Sequence, residues 1–203
     1  MDILRQMTDE ELEKAYEEVF REAFPPQELK PLESIRQMTA GGYYHPCALF
    51  RDGEPVGFIC FWLNEPYVLI DYLCVPKNIR NGGIGAQMIR LARETYPENT
   101  VFIGEVEAPT GNPEEDAIIL RRLAFYARCG AITLGYDTAL FGVHYKTIVW
   151  TNGEVNEAEV LKYHDEIYRR RFTPEMYDLA IQIPLHEGEE PRVFDEWIED
   201  RKV

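Results

Sequence analysis

The chain has 203 residues, 45% of them hydrophobic and 12% aromatic, which fits a folded domain with a sizeable core and excludes a disordered chain. Its formal net charge of −15 repels phosphates, so nucleic acid is excluded as a partner and a charged ligand is expected to be cationic. No apolar run approaches the ~20 residues of a membrane helix. The opening MDILRQMTDEELEK lacks the charged-then-apolar pattern of a secretion signal, and Cys47, Cys60, Cys74 and Cys129 lack CxxC spacing and histidine partners, so the expectation is a cytoplasmic protein with reduced thiols, no metal and no membrane.

Asp2 to Gln6 can form a short first strand. Thr8 followed by Glu11 is a capping-box pattern and opens a helix to about Phe24, where Pro25-Pro26 stops it. Its apolar stripe is Leu12, Ala15, Tyr16, Val19, Phe20 and Ala23. A weaker helix follows Pro31. CALFRDGEPVGFICFWL reads as a hairpin turned at Asp52-Gly53, and Tyr67 to Val75 as a strand. Ile84, Met88, Leu91 and Thr95 mark one helix face, ended by Pro97. VFIGEVEA is a strand. Glu114 to Cys129 reads as a helix with Gly130 as its C-terminal cap. ALFGVHYKTIVW is expected as one long strand. Asn156 with Glu159 opens a further helix to about Arg171, and a last strand is expected over roughly Met176 to Ile183. The acidic tail from His186 to the end is unassigned. The loose alternation of helices and strands predicts one α/β domain over residues 1–203 with a mixed sheet.

The most informative stretch is VPKNIRNGGIGAQMIR, Val75 to Arg90, which runs strand, glycine-rich turn, helix. Glycines let the backbone approach a ligand, and the free N–H groups and dipole of a helix start favour an anion. Gly82, Gly83 and Gly85 therefore suit a phosphate or pyrophosphate, with Arg80 adding a charged contact. A tight turn without a ligand is the alternative. A P-loop needs GxxxxGK[ST] and a dinucleotide fingerprint needs GxGxxG; GGIGAQ matches neither.

LCVPKNIRNGGIG resembles the acetyl-CoA loop of the GCN5-related N-acetyltransferases (GNAT), whose pattern is Arg or Gln, two residues, Gly, one residue, Gly or Ala. Here that is Arg80 to Gly85, with Leu73-Cys74-Val75 ending the preceding strand. Downstream, RRLAFYARCGA is similar to the family's later helix, Phe-Tyr, three residues, Gly, and IGEVE lies between the two motifs. The resemblance covers about Ile70 to Gly135. It implies a GNAT-like fold, a central twisted mixed sheet flanked by helices, that binds acetyl-CoA as donor. Arg80, Asn81, Gly82, Gly83, Ile84, Gly85 and Ala86 would hold the pyrophosphate. The backbone of Leu73, Cys74 and Val75 would pair with the pantetheine arm, and an N–H of Leu73 or Cys74 would polarise the thioester carbonyl. Tyr126 matches the tyrosine that protonates the leaving thiolate; a phenol of pKa ~10 and a thiol of ~8.5 are near balance. Without that context Tyr126 would read as a core aromatic beside Ile119 and Leu123.

Three departures stand out. Ile119 occupies the place where many members carry Asn. Ala131 replaces a common aromatic. The helix 156–171 falls where many members have only a hairpin, and is expected to wall the acceptor side; packing alone is the alternative.

An attacking amine of pKa ~10.4 must shed a proton at neutral pH, and a carboxylate can take it. Glu105 and Glu107 share a strand face, ~7 Å apart by strand rise, and Asp71 lies two residues before Leu73. Glu105 and Asp71 are the expected bases; pairing with Arg121, Arg122 or Arg128 is the alternative for these acids. The expectation is an acetyl-CoA-dependent N-acetyltransferase of small-molecule or peptide amines, with a bias towards cationic ones, acting as monomer or homodimer. A non-catalytic CoA-binding domain of the same fold is the rival.

Overall fold

The computed structural model describes residues 2–26 and 28–193. The chain divides into two compact units. Of the described residues, one unit holds those up to Leu63 together with Ile70–Glu98; the other holds Asn64–Leu69 and Asn99 to Val193. Strands and flanking helices give the α/β class expected.

In the first unit the strands are ordered β1 (Ile3–Gln6), β2 (Tyr44–Arg51), β3 (Glu54–Asn64) and β4 (Tyr67–Cys74), the last contributing its residues from Ile70. β1 and β2 pair antiparallel, as do β2 and β3 around the Asp52-Gly53 turn, where both residues take positive φ. α1 (Asp9–Ala15) starts with the capping box: Thr8 Oγ1 accepts from the Glu11 N–H, and the Glu11 carboxylate accepts from the Thr8 N–H. The helix continues through a π turn, Tyr16–Phe20, into α2 (Arg21–Ala23). Its buried side is Leu12, Ala15, Tyr16 and Phe20, and Phe20 meets the Phe58 ring edge-on at 5.7 Å. α3 (Leu32–Ala40) buries Ile35 and Met38. α4 (Ile84–Thr95) buries Ile84, Met88, Ile89 and Ala92.

In the second unit the order is β5 (Val101–Glu107), β7 (Val143–Trp150), β6 (Ile132–Leu140) and β8 (Ile181–Leu185), with antiparallel pairing throughout. α5 (Pro113–Arg128), α6 (Glu157–Arg169) and α7 (Pro174–Ala180) complete it. Ile103, Val149, Trp150, Ile167, Tyr168 and Ile181 are fully or almost fully buried.

Two expectations are corrected. The run Ala139 to Trp150 is not one strand but the end of β6, a turn and β7: Phe141 and Gly142 take φ of 52° and 84°, so the chain turns there, and β6 extends back to Ile132. The last strand starts later than expected, because Met176 to Ala180 belong to α7. Thr173 caps that helix by accepting from the Met176 N–H, and Pro174 takes the first helical position, where a missing N–H costs nothing. The tail from His186 is described only as far as Val193.

Candidate active site

In the first unit β4 leads into Pro76, a single 3-10 turn at Lys77–Ile79, then Arg80 to Gly83 and α4. Asn81 and Gly83 take φ of 69° and 77°. A Cβ on Gly83 would meet no atom within 4 Å, so open space lies over the turn. Gly83 is the N-cap of α4 and has no side chain to satisfy the first N–H groups of the helix, which therefore point outward. Arg80 Nε donates to the Val75 carbonyl at 2.9 Å and ties the turn back to the strand end. These features fit a pyrophosphate against the 80–86 backbone.

The position of α4 depends on a glycine outside the motif. A Cβ on Gly57 of β3 would lie 2.8 Å from Ile84 Cγ2 and 2.9 Å from Met88 Cε. The bare Gly57 backbone lets the first turn of α4 sit directly on the strand.

Cys74 is 7% exposed, and burial pushes its thiol up to about 12, so its side chain is inert and only its backbone can serve a ligand. Leu73 and Val75 are half-buried. Asp71 is in a different setting from a solvent-facing base. Its side chain is 6% exposed; Oδ1 accepts from Lys30 Nζ at 2.8 Å and Oδ2 from the Tyr44 hydroxyl at 2.5 Å.

In the second unit Glu105 and Glu107 share a face of β5 and have different partners. Glu107 pairs with Arg122 of α5. Glu105 accepts from His164 Nε2 at 2.7 Å and from the Tyr168 hydroxyl at 2.9 Å (Oε2) and 3.1 Å (Oε1). The other ring nitrogen of His164 lies 3.0 Å from the Tyr136 hydroxyl, whose pKa burial raises. Tyr126 is half-buried on the last turns of α5, its ring edge-on to Trp150 at 5.6 Å. Ile119, in the place of the family's Asn, is a core residue at 5% exposure. The residues missed in the sequence are thus Lys30 and Tyr44 around Asp71, and His164, Tyr168 and Tyr136 around Glu105. The i, i+4 spacing of His164 and Tyr168, both on one helix face, was the available signal. Among the described residues no group of three His, Cys, Asp or Glu side chains could hold a metal ion, and no helix is long and apolar enough to cross a membrane.

The acetyltransferase (GNAT) family profile matches residues 8–131, and the chain belongs to that family. A GNAT-family protein from Bacteroides thetaiotaomicron is similar in structure, with a TM-score of 0.66 at 24% identity, covering 80% of this chain and 94% of that one. The ribosomal-protein-S18-alanine N-acetyltransferase of Escherichia coli has a TM-score of 0.55 at 14% identity, covering 77% and 98%. NAA60 of Arabidopsis thaliana, solved with acetyl-CoA, has a TM-score of 0.55 at 16% identity, covering 74% and 98%. A comparison with curated proteins returned no match.

Proposed function

We propose that this protein transfers the acetyl group of acetyl-CoA to a primary amine of a small molecule or peptide by direct attack. The observation that carries this reading is the turn after β4, where Gly83 caps α4 with a positive φ and open space above it. Bound acetyl-CoA would supply an activated thioester. The 80–86 backbone holds its pyrophosphate, the strand end Leu73 to Val75 binds the arm, and an N–H of Leu73 or Cys74 polarises the carbonyl. Tyr126 hands its proton to the departing thiolate.

Glu105 is the base in this reading. It keeps partial exposure, with a side chain 11% accessible, and among the described residues none of its hydrogen-bond or ion-pair partners is a lysine or arginine. Asp71 is held by the Lys30 ammonium and by Tyr44, so its carboxylate supports structure first. The four free thiols suit a reducing compartment such as the cytoplasm.

The test is thiol release from acetyl-CoA with a panel of small amines and peptides, run on the wild type and on Gly83→Val. The expected result is turnover with at least one amine. In the variant, the positive φ and the added bulk weaken acetyl-CoA binding by about tenfold or more while the fold survives. Unchanged CoA affinity in a folded Gly83→Val protein would remove the pyrophosphate assignment, and no turnover with any amine would favour a CoA-binding domain without activity.

A further inference from the structure

We propose that α6 is a built-in support for the base: His164 and Tyr168 are positioning residues that hold the Glu105 carboxylate in its working orientation. This rests on the assignment of Glu105 as base. The two residues lie outside the span 8–131 that the family profile matches.

The geometry separates the parts that a substrate can reach from those it cannot. His164 is 0% exposed, whereas the Glu105 side chain is 11% exposed. The imidazole is thus shut off from solvent and acts through Glu105. Its two ring nitrogens both have partners, the carboxylate Oε1 at 2.7 Å and the Tyr136 hydroxyl at 3.0 Å. With Glu105 ionised, Nε2 carries the hydrogen and Nδ1 accepts from Tyr136, which fixes one tautomer. Tyr168, one helical turn on from His164, donates its hydroxyl to the same carboxylate. A carboxylate has about four acceptor sites. His164 donates to Oε1 and the single Tyr168 hydroxyl hydrogen is shared between Oε1 and Oε2, so Oε2 keeps a lone pair for an incoming N–H.

The helix itself is pinned at its start. The Asn156 side chain accepts from the Glu159 N–H, and Glu157 Oε1 accepts from the Gly135 N–H of β6 at 2.8 Å. The groups around the carboxylate are therefore His164 and Tyr168 from α6 and Tyr136 from β6, with Thr147 of β7 opposite Glu105 in register. In the proton-transfer step an N–H bond of the acceptor ammonium breaks and an O–H bond forms at Oε2. The lone pair left on nitrogen attacks the thioester carbonyl, the C–S bond breaks, and Tyr126 gives its proton to the leaving thiolate; the nitrogen's second surplus proton restores Tyr126 through solvent, and the proton on Oε2 passes to solvent. No oxidant or reductant is involved. A carboxylate free to rotate would meet that N–H only part of the time, which is the loss that the two donors, His164 and Tyr168, prevent.

The experiment compares kcat and the KM for acetyl-CoA in Glu105→Gln, His164→Leu, His164→Gln and Tyr168→Phe, using the full chain and an amine that supports turnover, with folding checked by circular dichroism. Glu105→Gln should lower kcat by about 10²–10⁴. His164→Leu should lower kcat by about 10- to 100-fold with the KM for acetyl-CoA within about twofold. His164→Gln, whose amide can donate to the same carboxylate, should recover about tenfold of that loss. Tyr168→Phe keeps the packing and should cost about three- to tenfold in kcat. A folded His164→Leu with kcat near the wild type overturns the proposal, as does equal impairment of the Leu and Gln variants. Where His164 variants fail to fold, an unchanged kcat in Tyr168→Phe overturns it. If Glu105→Gln itself keeps full kcat, the base assignment falls and the positioning role with it; if only the α6 variants are silent, the positioning role alone falls.

Discussion

Lys30 Nζ lies 2.8 Å from Asp71 Oδ1, and both side chains are almost closed to solvent, 3% and 6% exposed. The ammonium sits over the Trp62 and Tyr72 rings at 4.8 and 5.1 Å, and Tyr44 donates to the second carboxylate oxygen. The segment that carries Lys30 is tied to the unit by its backbone. The Lys30 N–H donates to the Tyr72 hydroxyl, which in turn donates to the Glu28 carbonyl, and the Tyr16 hydroxyl donates to the Lys30 carbonyl. Two charges out of water are tolerated because each satisfies the other.

Removing one partner leaves the other buried and unpaired. Lys30→Met should therefore cost about 3–5 kcal/mol of stability, and adding Asp71→Asn to it should recover part of that loss. Urea denaturation of the two single variants and the double variant reads this directly. A second readout separates structure from chemistry. Asp71→Asn should lower stability while kcat per folded molecule stays within about threefold of the wild type. A much larger fall in kcat in a stable Asp71→Asn protein would return Asp71 to the role of base.

Acid weakens the start of α1 in a defined window. Arg5 binds the Glu11 carboxylate through two bonds of 2.7 and 2.8 Å, and the Thr8 N–H adds a third, which lowers the Glu11 pKa from its ordinary 4.5 to about 2. A pKa depressed on folding means that the ionised form favours the folded state. The stabilisation is fully present above about 4.5 and is lost as the pH falls towards about 2. Stability curves of the wild type and Glu11→Gln at several pH values should therefore converge between those limits. A gap between them that is constant with pH would show that Glu11 acts without its charge.

Much of this could be read in the chain beforehand, and the gaps have physical causes. The Thr8–Glu11 box, the Asp52-Gly53 turn and the glycine turn before α4 are local devices, each specified by residues a few positions apart. The turn at Phe141-Gly142 was hidden because a bulky residue takes a positive φ where the apolar run continues. α7 was hidden because Met176 to Ala180 are apolar enough for either a helix or a strand, and the Thr173-Pro174 start signal was the only arbiter. The partners of Asp71 lie 27 and 41 residues away in sequence and those of Glu105 59 and 63, so no local pattern pairs them. The same holds for Gly57, whose importance arises only because Ile84 and Met88 land on it.

Tyr126 is the proposed proton donor to the leaving thiolate. It is half-buried, with a ring packed on Trp150. Tyr126→Phe keeps that packing and removes the hydroxyl. As proton donor to the thiolate it should account for about 10²–10⁴ in kcat with little change in acetyl-CoA affinity. Pre-steady-state measurement of the chemical step avoids masking by product release. A chemical step within a few-fold of the wild type in Tyr126→Phe would make Tyr126 a packing aromatic and place the donor elsewhere.

The charge of the acceptor is the last prediction, and the ion pairs sharpen it. Of the three candidate acids, Asp71 pairs with Lys30 and Glu107 with Arg122, which leaves Glu105, among the described residues, as the acid without a lysine or arginine partner. The chain as a whole carries −15. A cationic acceptor should therefore be favoured by two separable effects. The distant field raises its capture and is screened by salt over a Debye length of about 10 Å at 0.1 M. The Glu105 carboxylate orients the ammonium at contact, where screening is weaker. For two amines matched except for an added positive group or an added carboxylate, kcat/KM should favour the cation by about tenfold at low salt, and the ratio should shrink but not vanish at 0.5 M. Glu105→Gln should remove the part that survives salt. A preference for the carboxylate-bearing amine, or a ratio indifferent to salt, would mean that neutralised surface acids and pocket shape, rather than net charge, select the acceptor.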